Sequence, residues 1–181
     1  MEPIRAERAT VAFFDGLTVD GYRMPNGEFR VGITTASIVA GFAQNYLRRL
    51  LLDGGTRLQP LLDNGFSGKT VPQVRATRTG EREERTIDLK DFIRLLRYAD
   101  KQDRPSAGAI LDALSELSLL DFFRDAFGEP PLSIEEKRRL FYEAYAKAIS
   151  PEEWMRMQKE EIIKLALPGD ETHLRDGLWN E

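Results

Sequence analysis

The chain has 181 residues, the size of one ordinary domain or of a small domain with an appendage. Hydrophobic residues make up 41% and charged residues 31%, which excludes collagen-like, mucin-like and wholly disordered chains. Net charge is -4, cysteine is absent and His173 is the one histidine, so disulfides, thiolate metal sites, cysteine nucleophiles, two-histidine metal centres and most histidine-based triads are excluded.

Residues 1–10 are charged and lack an apolar run, so they read as an N-terminal arm and no secretory signal is expected. Val11–Phe14 and Leu17–Val19 are short β-type runs around the turn dipeptide Asp15-Gly16. Residues 21–31 read as a hairpin. Tyr22 and Met24 alternate on one arm, Phe29 and Val31 on the other, and Pro25-Asn26-Gly27 makes the turn. Thr34 or Thr35 is then placed to cap a short helix that Gly41 stops. A second helix, Gln44 to Leu52, ends at Asp53-Gly54-Gly55. Two short helices joined through a glycine turn have the form of a helix-turn-helix. Leu47, Leu50 and Leu51 face inward in this reading, and Gln44, Asn45, Arg48 and Arg49 lie outside or at the helix start.

Leu58–Lys69 is a loop or a broken helix, because Pro60, Asn64-Gly65 and Ser67-Gly68 interrupt it. Val71–Arg78 and Glu81–Asp88 form a second, polar hairpin around Thr79-Gly80, with Arg82 on one face and Arg75 and Arg85 on the other. Leu89–Ala99 is an amphipathic helix with Asp88 near its start. Ser106 is placed to cap Ala107–Phe123, a strongly apolar helix, and Gly128-Glu129-Pro130-Pro131 marks a boundary. Ser133-Ile134-Glu135-Glu136 is a capping box ahead of Lys137–Ile149. Ser150-Pro151-Glu152-Glu153 repeats the start signal, with Pro at the first helical position.

The order is hairpin, short helix pair, second hairpin, amphipathic helix, apolar helix. It resembles the Bro-N and KilA-N type DNA-binding modules, including phage antirepressor N-terminal domains. The likeness is carried by Gly21-Tyr22-Arg23-Met24 leading into residues 32–41, by Thr86-Ile87-Asp88-Leu89, and by Asp91-Phe92-Ile93-Arg94-Leu95-Leu96-Arg97 with the helix after it. It is a match of pattern over about residues 11–127. It implies DNA binding in gene regulation, with the region after Gly128 as an effector or dimerisation appendage. The expected fold is therefore α+β, with two β-hairpins around a helix-turn-helix core. The expected division is an arm at 1–10, a DNA-binding domain at 11–128, a helical appendage at 129–168 and a tail at 169–181.

The charge distribution bears on the same function. The window 44–104 holds thirteen basic and nine acidic side chains, against a net -6 for residues 101–181. Arginine dominates the window, and its planar fork suits phosphate and guanine edges. The expected DNA-binding set is Gln44, Asn45, Arg48, Arg49, Lys69, Arg75, Arg78, Arg82 and Arg85. An alternative is a solvated surface, in which Glu81, Glu83 and Glu84 satisfy the hairpin arginines internally. Ser67-Gly68-Lys69-Thr70 has the form of a P-loop end, but Asp63 stands where the motif needs glycine.

Neighbouring carboxylates such as Glu135-Glu136 point apart, and Asp112, Asp121 and Asp125 offer the one stretch on which magnesium is conceivable. Phe141, Tyr145, Trp154 and Met157 form an aromatic and methionine-rich face, read either as packing or as an interface for a homodimer or protein partner. The preferred function is a non-enzymatic regulator of transcription that binds double-stranded DNA, without cofactor, in the cytoplasm at the nucleoid and not in a membrane. The alternatives are a protein-interaction adaptor that has lost DNA binding, and a DNA-processing nuclease.

Overall fold

The computed structural model describes residues 5–77 and 80–156. Two compact units are present, residues 1–148 and residues 149–181. The first is α+β. Its strands are β1 (Glu7–Phe14), β2 (Leu17–Arg23), β3 (Phe29–Gly32), β4 (Val71–Thr77) and β5 (Gly80–Asp88). Its helices are α1 (Ile33–Val39), α2 (Tyr46–Asp53), α3 (Gln59–Asp63), α4 (Leu89–Lys101), α5 (Pro105–Ala126) and α6 (Ile134–Ala148).

The strands make one antiparallel sheet in the order β1-β2-β3-β5-β4. The two expected hairpins are therefore parts of a single sheet, joined where Val31 pairs with Ile87. Helices α1 to α3 are inserted between β3 and β4. The arm expected at 1–10 is a strand from Glu7 onward, because Glu7 pairs with Arg23 and Thr10 with Asp20. Its start went unread because an edge strand can be polar on both faces, and Glu7 to Thr10 are all exposed. The Pro25-Asn26-Gly27 turn closes as expected. Gly27 sits at φ +85, Gly27 N–H donates to Met24 O at 2.9 Å, and Met24 N–H donates to Glu28 O at 2.8 Å.

The core lies between the sheet and the helices. Val19, Tyr22, Val31 and Ile87 come from the sheet, Ala36 from α1 and Leu47 from α2. Phe92, Leu95 and Leu96 come from α4, and Ile110 and Ala113 from α5. Helix α4 packs on β3 and β5, α5 on α4, and α6 on both α5 and β1. Each large apolar side chain buried there contributes about 1.5–3 kcal/mol. A Cβ at Gly108 of α5 would displace the exposed Asp100 carboxylate of α4, which lies against it.

Several local expectations change for physical reasons. No side chain caps α1; Gly32 precedes it, and Thr35 Oγ1 instead accepts the Asp20 N–H at 2.9 Å, tying α1 to β2. Within residues 58–69 the only helix is the short α3, which follows a 3-10 turn at Gly55–Arg57. Helix α4 is capped by Asp88, which accepts the Asp91 N–H at 2.7 Å. Ser106 is not the cap of α5. That helix starts two residues before the expected Ala107, at Pro105, whose missing N–H and fixed φ suit a first position. The capping box before α6 forms in full. Ser133 N–H donates to Glu136 Oε2 at 2.9 Å, and Glu136 N–H donates to Ser133 Oγ at 3.2 Å.

The boundary expected at residue 128 is not where the contacts divide. Phe13 stacks on Phe141 with centroids 5.2 Å apart, and Phe14 meets Tyr142 at 5.1 Å and Tyr145 at 5.3 Å. These rings join α6 to β1, so α6 belongs to the first unit. Within the second unit, Ser150 and Glu153 form the repeated capping box at 3.0 and 3.2 Å. The expected tail at 169–181 lies outside the described residues.

Candidate nucleic-acid interface

Buried Ser37 fixes the helix pair. Its Oγ donates to Ile33 O at 2.8 Å and accepts the Leu47 N–H at 3.2 Å, pinning the first turn of α2 to α1. Gly41, at φ +84, makes the turn between them. Phe42 stacks on Tyr46 at 4.0 Å, and the Arg104 guanidinium lies over the Phe42 ring at 5.2 Å. Burial and a hydrogen bond with Tyr98 raise the Tyr46 phenol above its ordinary value. The turn is thus held against α4 and the start of α5.

The second helix is shorter than expected. It begins at Tyr46, so Gln44 and Asn45 stand on the turn before it and not on its outer face. Leu47 and Leu50 are buried, Leu51 is half-buried, and Arg48 and Arg49 are exposed.

A polar groove of about 560 Å³ lies beside this pair. Its walls are Ile33 and Thr34 of α1, Gln44 and Asn45 of the turn, Arg48 of α2, and Arg82, Glu83, Glu84 and Arg85 of β5. Residues some forty positions apart meet there because β5 lies next to β3, the strand that runs directly into α1. Glu84 Oε1 accepts the Thr34 N–H at 3.4 Å and so sits at the first turn of α1. Arg85 lies 3.9 Å from Glu83 and donates to Thr70 Oγ1 at 3.0 Å. Among the described residues Arg48 and Arg82 make no ion pair within 4.0 Å.

Five of the nine expected DNA-binding residues therefore line one groove: Gln44, Asn45, Arg48, Arg82 and Arg85. Arg49 and Lys69 are exposed but do not line it. Arg75 pairs directly with Arg82 in the β4–β5 register, which places these two positions on one face and not on opposite faces as expected. Arg78 lies outside the described residues. Acidic Glu83 and Glu84 share the groove, a feature the charge count alone does not locate.

The P-loop-like segment has a structural use. Asp91 is buried at the start of α4, accepts the Ser67 N–H at 2.8 Å, and accepts the Ser67 hydroxyl at 2.5 Å. Ser67 thus anchors the loop to α4 and is turned toward a carboxylate, which a phosphate would not tolerate. Among the described residues no group of three acidic or histidine side chains is placed to hold a metal ion.

The expected aromatic interface is corrected at two positions. Phe141 and Tyr145 are buried against β1 and are not surface. Trp154 is half-buried in the second unit, and Met157 lies outside the described residues. No described helix is long and apolar enough to cross a membrane. Comparison of the chain with protein-family models, with curated proteins and with solved structures finds no match.

Proposed function

We propose that this chain binds double-stranded DNA as a regulator of transcription, and that the groove between the α1–α2 pair and β5 is its contact surface. One observation carries the reading: Gln44, Asn45 and Arg48 converge with Arg82 and Arg85 although β5 is remote from α2 in the chain. Amides suit adenine edges, and arginine suits guanine edges and phosphates. Gln44 and Asn45 stand at the start of α2, the end from which recognition helices reach bases. Arg82 and Arg85, on the sheet, take the adjacent backbone phosphates. Glu83 and Glu84 oppose a uniform anion cradle, so binding depends on the arginines outweighing them and falls steeply with salt.

Fluorescence anisotropy against random duplex DNA over a salt series tests this. Micromolar or tighter binding with a negative log–log salt slope supports it. Absence of binding at low salt by a folded protein overturns it in favour of an interaction adaptor. A magnesium-dependent nicking assay on the same DNA tests the nuclease alternative.

A further inference from the structure

Toward its C-terminal end helix α5 carries Asp121, Arg124 and Asp125 on one side and a cluster of large apolar side chains on the other, and an apolar face of that kind is ordinarily buried. Here it is not. Ala107, Ile110 and Ala113 are buried in the first half, but beyond residue 118 the large apolar side chains stand in solvent. Leu119 is 60% exposed, Phe123 64% and Phe127 80%, with Phe122 at 72% beside them. At about 100° per residue, positions 119, 123 and 127 form one ladder that turns away from the seam of Ile110 and Leu117. Asp112 and Glu116 continue the ladder toward the N-terminus, so the same face changes from acidic to apolar at Leu119.

We infer that this ladder is a self-association surface, and that its occupant is the same ladder of a second copy, crossing antiparallel about a two-fold axis near Phe123. Three arguments select that occupant. A two-fold contact needs one self-complementary patch, and an uninterrupted apolar ladder matches itself. The antiparallel sense sets Leu119 against the second copy's Phe127 and separates the two Asp112–Glu116 segments, which a parallel pair would bring together. The area is also of the right order. A phenylalanine offers about 150–250 Å², so the three exposed rings alone supply roughly half of the ~800 Å² that each partner contributes to a stable interface. Leu119 and Leu120 add to it. The surface differs from the buried Phe141–Tyr145 seam, and it holds whether or not the groove binds DNA.

Sedimentation equilibrium of the full chain without DNA, from about 1 to 100 μM, is the test. The expected result is a species of twice the chain mass, converted to monomer by Phe123→Asp with an unchanged circular dichroism spectrum. Ile38→Asp, at an exposed position of the mostly buried α1, leaves the dimer intact. A second readout uses the absence of native cysteine. Phe123→Cys, close to the axis, forms an intermolecular disulfide on mild oxidation, and Asp112→Cys does not. A wild type that stays monomeric throughout overturns the inference and leaves the ladder to residues 157–181 or to a different protein. A dimer insensitive to Phe123→Asp, or equal cross-linking at both cysteines, also overturns it. A dimer that fails to bind DNA counts against the proposed function alone.

Discussion

Arg30 and Arg48 carry the same guanidinium to opposite ends. Arg30 is buried on β3. Its Nε donates to Thr86 Oγ1 at 3.0 Å, its Nη2 to Thr86 O at 3.1 Å, and its Nη1 meets Glu28 at 2.6 Å. It stitches the strand pair that unites the two halves of the sheet. Arg48 is exposed on α2 at the rim of the groove, with no ion pair among the described residues. The difference lies in burial. A buried guanidinium must spend its donors on fixed acceptors, whereas an exposed one keeps them for a ligand. Counting arginines therefore measures neither stability nor binding until each is placed.

The comparison is broken most directly at Arg30. Arg30→Ala strips partners from Thr86 and opens a gap between β3 and β5. Its expected cost is about 2–4 kcal/mol, read as a lower urea midpoint. Equal midpoints for Arg30→Ala and Arg48→Ala would erase the distinction. Asp91→Ala belongs with Arg30. It removes the buried carboxylate that holds the Ser67 N–H and hydroxyl and loosens the residue 66–70 loop, with an expected loss of about 2 kcal/mol in the same assay.

Arg48→Ala has the reverse signature. Stability is expected to stay within about 0.5 kcal/mol of wild type, and the proposed DNA contact predicts an affinity lower by about tenfold, roughly 1.4 kcal/mol. Intact affinity would remove α2 from the interface. Arg85→Ala sharpens the middle ground, because Arg85 is already engaged with Thr70 and Glu83. A few-fold loss of affinity and a salt slope shallower by about one are expected from titrations at several ionic strengths.

The smallest effect belongs to Glu136. Hydrogen bonds from the Ser133 backbone and side chain hold its carboxyl below the ordinary value. A depressed carboxylate stabilises the fold above its unfolded value near 4.5 and loses that contribution as pH falls through the lower folded value. Glu136→Gln should therefore lower the melting temperature slightly at neutral pH and leave it almost unchanged in strong acid, so that the acid limb of the profile is flatter. An unaltered acid limb would show that the capping box does not titrate with folding.

Much of the local structure is legible in the residues themselves. Pro25-Asn26-Gly27 and Ser133-x-x-Glu136 specify a turn and a helix start through contacts within three or four positions. The stripe of Phe92, Leu95 and Leu96 in α4 reports burial, because side-chain direction follows backbone period. Gln44, Asn45, Arg48, Arg82 and Arg85 could each be named as candidates by type. Their meeting could not, since it depends on β3 pairing with β5 across the inserted helices.

Other features were decided only by distant contacts. Phe13 and Phe14 claim Phe141 and Tyr145 for the core, and no local pattern in α6 distinguishes that seam from an exposed one. Helix α5 shows the converse. Its run of large apolar side chains predicts burial along its length, yet the tertiary structure covers only the part that α4 and α6 can reach. The chain by itself determined turns, caps and periodicities, because these are short-range matters of backbone torsion and hydrogen bonding. Only the assembled sheet and its helices decided which arginines are spent, which aromatics are hidden and which apolar ladder stands open, because burial belongs to neighbours far along the chain.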